Sequence, residues 1–200
     1  MQKNGPKHKT CRRVGAPLCG RPNCPSEKRP YPPGQHGRGR KRISEYQTRL
    51  LEKQKLRHIY KVNEKQMRRY YERAVRTTGV TGEEMLRSLE TRLDNVCLRL
   101  GFALTTSQAR QLVSHGHVSL DGRRTDIPSA RVKPGQAITL TAKAKNFVSV
   151  REALEITPEP PSYLYRNKDE GSGTLSRMPE RDEIPLPVPI EERMIVELYS

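Results

Sequence analysis

The sequence predicts an α+β protein in three parts, on three observations. Residues 1–43 hold seven of the sixteen prolines and three of the four cysteines, which rules out a long helix and marks an irregular extension. From Ser44 onward, capped segments with apolar residues at helical spacing follow one another. Beyond His117 the period changes from 3.6 to 2, which predicts a helix–turn–helix leading into a β-hairpin. The expected parts are an extension over 1–43, a helical domain over 44–90 completed by 176–200, and a small module over 91–175.

Each element has its own signal. Ser44 and Gln47 form a capping-box pattern before "EYQTRLLEKQKLRHIY", where Tyr46, Leu50, Ile59 and Tyr60 can share a face. A second helix starts at Asn63, with Met67, Tyr70, Tyr71, Ala74 and Val75 on its apolar side and Gly79 suited to its end. A third is predicted from Thr81, boxed with Glu84, through Leu86, Leu89, Leu93, Val96, Cys97 and Leu100 to Gly101. The fourth runs from a Thr106 cap through Ala109, Leu112 and Val113 to Gly116. "HVSLDGRRTDI" then signals a hairpin around Asp121-Gly122, and Pro134-Gly135 precedes another strand. In the tail, alternating Met194, Val196 and Leu198 predict an edge segment, approached in extended form through Pro185, Pro187 and Pro189.

Composition narrows the function. Hydrophobic residues make up 33% of the 200 residues, with no Trp and two Phe, a thin core for the length. The net charge of +16 calls for a polyanionic partner. It is unevenly placed: residues 1–60 carry 16 Lys and Arg against 3 acids, whereas 151–200 carry 6 against 11. A basic head and an acidic tail imply two different partner surfaces. "MQKNGPKHKT" has no apolar stretch of the signal-peptide kind, and no run approaches the ~18 apolar residues of a membrane span. The expectation is a cytoplasmic chain, where close cysteines read as metal ligands or redox groups.

His8, Cys11, Cys19 and Cys24 give H-x2-C-x7-C-x4-C, a set suited to one structural Zn2+. Gly15, Pro17, Gly20 and Pro22 let the backbone turn the ligands inward, and the surrounding Arg and Lys favour the thiolates. Reduced spectator thiols are the competing reading, and His36 is the alternative fourth ligand. Cys97 lies on an apolar stripe and is expected to be a buried thiol.

"KRPYPPGQHGRGRKRISEYQTRLLEKQKLRHIY", "LETRLDNVCLRLGFALTTSQARQLVSHGHVSLDGRR" and the ending "MIVELYS" resemble the bacterial small-subunit ribosomal protein S-four family, in family order over nearly the whole chain. The resemblance implies a structural constituent of the small ribosomal subunit that binds its ribosomal RNA and nucleates assembly. It also implies a place at the messenger RNA entry channel beside the ribosomal S-five and S-three proteins, and an influence on translational accuracy. Metal-bearing relatives usually have a cysteine where His8 stands and a longer loop than the seven residues between Cys11 and Cys19.

The candidate RNA contacts follow from charge and position. In the extension they are Arg12, Arg13, Arg29, Gln35, His36, Arg38, Arg40, Lys41 and Arg42; on the first long helix, Arg49, Lys53, Lys55 and Arg57. In the module, Thr106, Ser107 and Gln108 surround the amides that open the fourth helix, a phosphate cradle. Arg110, Gln111, Ser114, His115 and His117 follow along it, Arg92 and Arg99 are expected on a shared face of the third helix, and Arg123 and Arg124 come from the hairpin. Such a set grips phosphates and recognises shape. Asp94 and Asn95 are expected to fix the helix junction by hydrogen bonds. Glu180, Asp182, Glu183, Glu191 and Glu192 are the candidate contacts to a basic protein.

Two other classes are weaker. An RNA-modifying enzyme carrying a similar module would need a catalytic domain, and the chain has no G-x-S-x-G, P-loop or H-E-x-x-H. A zinc-bearing nucleic-acid-binding regulator would need a recognition helix at zinc-finger spacing after the knuckle.

Overall fold

The computed structural model describes residues 8–19, 23–39 and 42–200. In chain order the elements are α1 (Lys9–Val14), α2 (Pro25–Lys28), α3 (Glu45–Ile59), α4 (Glu64–Val75), α5 (Thr81–Glu90), α6 (Leu93–Arg99) and α7 (Thr106–Ser114), then β1 (Val118–Leu120), β2 (Arg123–Thr125) and β3 (Ala137–Leu140). They continue as α8 (Ala142–Lys145), α9 (Val148–Ile156), β4 (Leu164–Asn167), β5 (Ser172–Leu175), a short 3-10 turn at Arg181–Glu183 and α10 (Glu192–Tyr199). Two compact units result: Met1–Met85 with Leu186–Ser200, and Leu86–Pro185.

The first unit is helical. Ser44 and Gln47 complete the capping box of α3 in both directions. The buried face of α3 centres on Leu56, followed by Tyr60, while Tyr46 is 62% exposed; the predicted face is therefore rotated. The rotation buries Glu52 and Lys53, which need partners to be stable there. Lys53 reaches the Glu64 carboxylate at 2.9 Å, Arg57 reaches its other oxygen at 3.1 Å, and the Tyr199 hydroxyl donates to it at 2.8 Å. Lys55 pairs with Glu52. α4 starts after its Asn63 cap and ends at Val75 with Arg76 as its C-cap, three residues before Gly79.

The tail departs from expectation. Residues 192–199 form a helix, because Ile195 and Tyr199 are four apart and supply an apolar stripe. Ile195 is fully buried, and Tyr199 stacks on Tyr71 with ring centroids 5.0 Å apart. The three prolines are confined to the approach.

In the second unit, a five-stranded antiparallel sheet in the order β2-β1-β3-β5-β4 shares one core with α6 and α7. Leu93, Val96, Cys97, Leu100, Leu112, Val113, Val118, Ile138 and Leu175 meet in it. The predicted third helix is two helices, broken at Thr91–Arg92. There the segment 128–132 intervenes: Ala130 and Pro128 carbonyls accept from the Leu93 and Asp94 amides, and the Thr91 carbonyl accepts from Val132. These bonds satisfy amides that open α6 and would otherwise lack intrahelical partners.

α7 is capped one residue earlier than expected, by the Thr105 hydroxyl accepting from the Gln108 amide at 3.3 Å. The hairpin turns through Asp121 and Gly122, both at positive φ as a type I′ turn requires. The β4–β5 hairpin had no counterpart in the sequence reading.

Candidate metal cluster and nucleic-acid interface

α1 and α2 bring the four predicted ligands together. Cys11 lies inside α1, His8 precedes it, and Cys24 precedes α2. One donor atom from each of His8, Cys11, Cys19 and Cys24 lies within 4.8 Å of the others, so the four could hold a metal ion. His8 Nδ1 is 3.8 Å from Cys19 Sγ and 3.6 Å from Cys24 Sγ. His36 is exposed and outside the group.

Burial, then the charges of Cys19 and Cys24, push the Cys11 thiol up to about 12. Burial also raises Cys24, but hydrogen bonds from Ser26, Cys19 and His8 overcome it and bring Cys24 down to about 7. Ser26 is buried and its hydroxyl donates to Cys24 Sγ at 3.1 Å. Sequence reasoning missed Ser26; its position two residues after Cys24, at the start of a helix, was the available signal. Gly20 and Pro22, expected to turn the loop, lie outside the described residues.

The extension's cations divide by surroundings. Arg13, Arg29, Gln35, His36, Arg38 and Arg42 are exposed. Arg12 and Arg38 both lie over the Tyr31 ring, at 5.3 and 5.0 Å from its centroid. Arg12 Nε donates to the Tyr31 carbonyl and Arg38 Nη2 to its hydroxyl, at 3.2 and 3.0 Å. The Arg38 hydrogen bond, with the charges of Arg38, Arg29 and Arg12, holds the Tyr31 phenol below its ordinary value. Tyr31 thus orients two guanidiniums, a role not read from sequence. Arg40 and Lys41 lie outside the described residues.

The α3 cations are differently placed from the expectation. Arg49 pairs with Glu197 at 3.2 Å, and Lys53, Lys55 and Arg57 have the acid partners described above. Lys53 is buried and contributes to the helical core.

In the second unit, Arg92 and Arg99 do not form an exposed face, because each is taken up by a buried carboxylate. Arg92 is 3% exposed and holds both Asp94 oxygens, at 3.0 and 2.6 Å. Arg99 pairs with buried Glu90, which also accepts from the Tyr163 hydroxyl at 2.8 Å. Arg110 reaches Asp94 at 3.4 Å, and Asn95 donates to the Glu90 carbonyl. Asp94 and Asn95 therefore fix the junction, and Arg92 and Arg99 join them in that structural role.

An exposed row remains. Ser107, Gln108, Gln111, Ser114 and His115 lie along the outer side of α7, with Thr106 and His117 half-buried beside them. Arg123 and Arg124 are exposed on β2. Arg124 donates to the His115 carbonyl at 3.2 Å and lies against Gly116, where a Cβ would stand 2.2 Å from its Nε. Gly116, at φ +68°, thus lets β2 place a cation against the end of α7. Cys97 is fully buried, which raises its thiol well above the ordinary range.

The acidic candidates fall into two places. Glu180 and Asp182 are exposed, while Glu183 is held by Arg177 and Ser162 hydrogen bonds that bring its carboxyl down to about 2. Glu191 is exposed and Glu192 half-buried at the start of α10. Among the described residues no helix is long and apolar enough to cross a membrane.

Exposed cations on a helix–hairpin edge, in a chain of net charge +16, define a protein of the nucleic-acid-binding class. Two family models match: "Ribosomal protein S4/S9 N-terminal domain" over residues 2–90 and "S4 domain" over residues 91–138. The small ribosomal subunit protein uS4 of Geobacillus kaustophilus is 51% identical over 197 residues, covering 98% of this chain and 97% of that protein. Those of Rubrobacter xylanophilus and Thermoanaerobacter sp. are 48% and 46% identical, with the same coverage. The chain therefore belongs to the ribosomal protein S4 family. It is a structural protein of the ribosome in the cytoplasm, not an enzyme. Ribosomal RNA and other ribosomal proteins are the partners that membership implies.

Proposed function

We propose that this chain binds small-subunit ribosomal RNA through two cationic surfaces, one in each unit, and nucleates subunit assembly by fixing the shape of that RNA. The observation that carries this reading is the α7–β2 edge, where exposed polar side chains, the opening amides of a capped helix and two hairpin arginines lie on a unit with a buried apolar core. Such a rigid scaffold spends little entropy on ordering itself around phosphates. The Arg12–Tyr31–Arg38 group provides the corresponding anchor in the extension, with Arg13, Arg29, Gln35, His36 and Arg42 around it. The ion-paired Arg49, Lys55 and Arg57 contribute field more than direct contact.

The four-residue cluster is a structural Zn2+ site in this reading. A tetrahedron with metal–sulfur bonds of about 2.3 Å has edges of about 3.8 Å, and the His8-to-sulfur distances are 3.8 and 3.6 Å. Zinc, when bound, supplies the positive charge that lets several thiolates coexist. His8, Cys11, Cys19 and Cys24 hold it, and Ser26 orients Cys24.

The exposed Arg38 and Arg42 meet the incoming messenger RNA at the entry channel, beside the ribosomal S-five and S-three proteins, and the acids Glu180, Asp182, Glu183, Glu191 and Glu192 meet a basic surface of the S-five protein. Loosening those acidic contacts alters decoding accuracy. The experiment for the reading as a whole is a filter-binding titration of purified protein on small-subunit RNA against salt. Neutralising roughly six to ten phosphates predicts a fall of about 10³–10⁵ between 50 and 200 mM; a flat titration contradicts it.

A further inference from the structure

Next to the exposed row of α7, a cavity of about 350 Å³ opens between that helix and the start of α9. Its floor is apolar, formed by Phe102, Leu112 and Val150, all buried. One wall is an edge-to-face ring pair, His117 against Phe147, with centroids 4.9 Å apart at 89°. The rim carries the Gln108 and Gln111 amides and Ser149. Burial, then the charges of His115, Lys143 and Arg124, keep the His117 imidazole below its ordinary value, so it presents a neutral ring to the cavity. Arg124 donates to the His115 carbonyl at 3.2 Å, and Lys143 follows Thr141, whose amide donates to the His117 carbonyl at 3.0 Å, so both cations stand beside residues that line the opening.

We propose that this cavity takes one unstacked nucleobase of the bound RNA, with the phosphate of that nucleotide on Arg124 and Lys143. The inference rests on the RNA-binding reading above and deepens it. An apolar floor with an aromatic wall offers a stacking surface, which is how proteins hold bases splayed out of single-stranded loops. Each glutamine amide provides a donor and an acceptor, matching the mixed pattern of a base edge. The volume falls within the usual range of small-ligand sites, about 300–1,000 Å³. Cations at the mouth and none on the floor suit an uncharged ring tethered to an anionic backbone. The neighbouring α7–β2 edge already holds that backbone, so the base is delivered at high effective concentration.

The test uses the full-length protein with small-subunit RNA, measuring affinity and the chemical reactivity of each base. Ser149→Phe fills the mouth without removing a charge, and Gln111→Ala removes one amide at an exposed helical position where alanine favours the fold. Wild type should protect one base outside any duplex. Ser149→Phe should restore that base's reactivity and weaken binding about tenfold, with the salt slope unchanged. Gln111→Ala should weaken it several-fold and loosen the choice of base. Both variants matching wild type in affinity and protection would overturn the inference while leaving the RNA-binding reading intact. A wild type with no preference for ribosomal RNA would sink that reading itself, and the inference with it.

Discussion

His8 Nδ1 stands 3.6 Å from Cys24 Sγ, although sixteen positions separate the two residues in the chain. α1 turns Cys11 inward one turn after His8, and the Cys24 sulfur accepts from Ser26 on the far side. Stoichiometric zinc is expected in purified protein. His8→Ala and Cys24→Ser should each lose it, and Ser26→Ala should lower metal affinity about 10–100-fold. Metal analysis and competition with a chelator check this; full zinc retention by His8→Ala would assign the fourth position elsewhere.

Glu90 is buried with its carboxylate committed to Arg99 and Tyr163. Removing one partner of a buried ion pair leaves an uncompensated charge, so Glu90→Ala should destabilise the second unit by about 3–5 kcal/mol. Tyr163→Phe deletes only a hydrogen bond to a charged acceptor and should cost about 1.5–3 kcal/mol. Urea unfolding followed by circular dichroism measures both.

Glu64 sets an acid sensitivity in the helical unit. Partial burial raises its carboxyl, but the Lys53 and Tyr199 hydrogen bonds and the charges of Lys53 and Arg57 outweigh that and hold it below the ordinary range. With the folded value depressed, its stabilisation is complete above the ordinary carboxylate range and is lost as pH falls through the folded value. Thermal stability should therefore decline on acidification below about pH 4.3, and Glu64→Gln should flatten that part of the profile. An identical acid profile for wild type and variant would contradict the assignment.

Arg124 and Gly116 are predicted to act together. Gly116→Ala forces a Cβ into the Arg124 guanidinium and strains a positive-φ position. RNA affinity should fall by about as much as in Arg124→Ala, and the double variant should be no worse than the weaker single one. Full additivity in filter binding would mean that the two act separately.

The parts of this fold that could be read from the sequence were those with a local cause. The Ser44–Gln47 box, the Asp121-Gly122 turn and the apolar stripe of α7 each involve residues close in the chain. What escaped reading had distant causes. The break before α6 depends on carbonyls from 128 and 130, so a continuous apolar stripe from Leu86 to Leu100 concealed it. β4 went unseen because only one of its two inward positions, Leu164, is apolar; the other is Arg166, buried with Nη1 donating to the Leu100 carbonyl at 3.2 Å. The tail's alternation misled because Ile195 and Tyr199 pack as a helix.

At the site, spacing singled out three cysteines and His8 but left His36 as an alternative, and it is the fold that gathers donor atoms of His8, Cys11, Cys19 and Cys24 within 4.8 Å of one another. The cations were legible as types but not as partners. Arg92, Arg99 and Lys53 look like surface charge in sequence, and only the fold shows the carboxylates facing them. Tyr31 and Ser26 were missed because orienting another side chain leaves no signature of its own.

The most direct measurement is competition binding of the purified, metal-replete protein at near-cellular ionic strength, with labelled small-subunit RNA against excess random RNA. A clamp of arginines and helix amides built on a rigid scaffold predicts retained binding to the ribosomal RNA, reduced at least tenfold by joint Arg123→Ala and Arg124→Ala substitution. Equal displacement by random RNA, or a double variant as tight as wild type, would contradict the account.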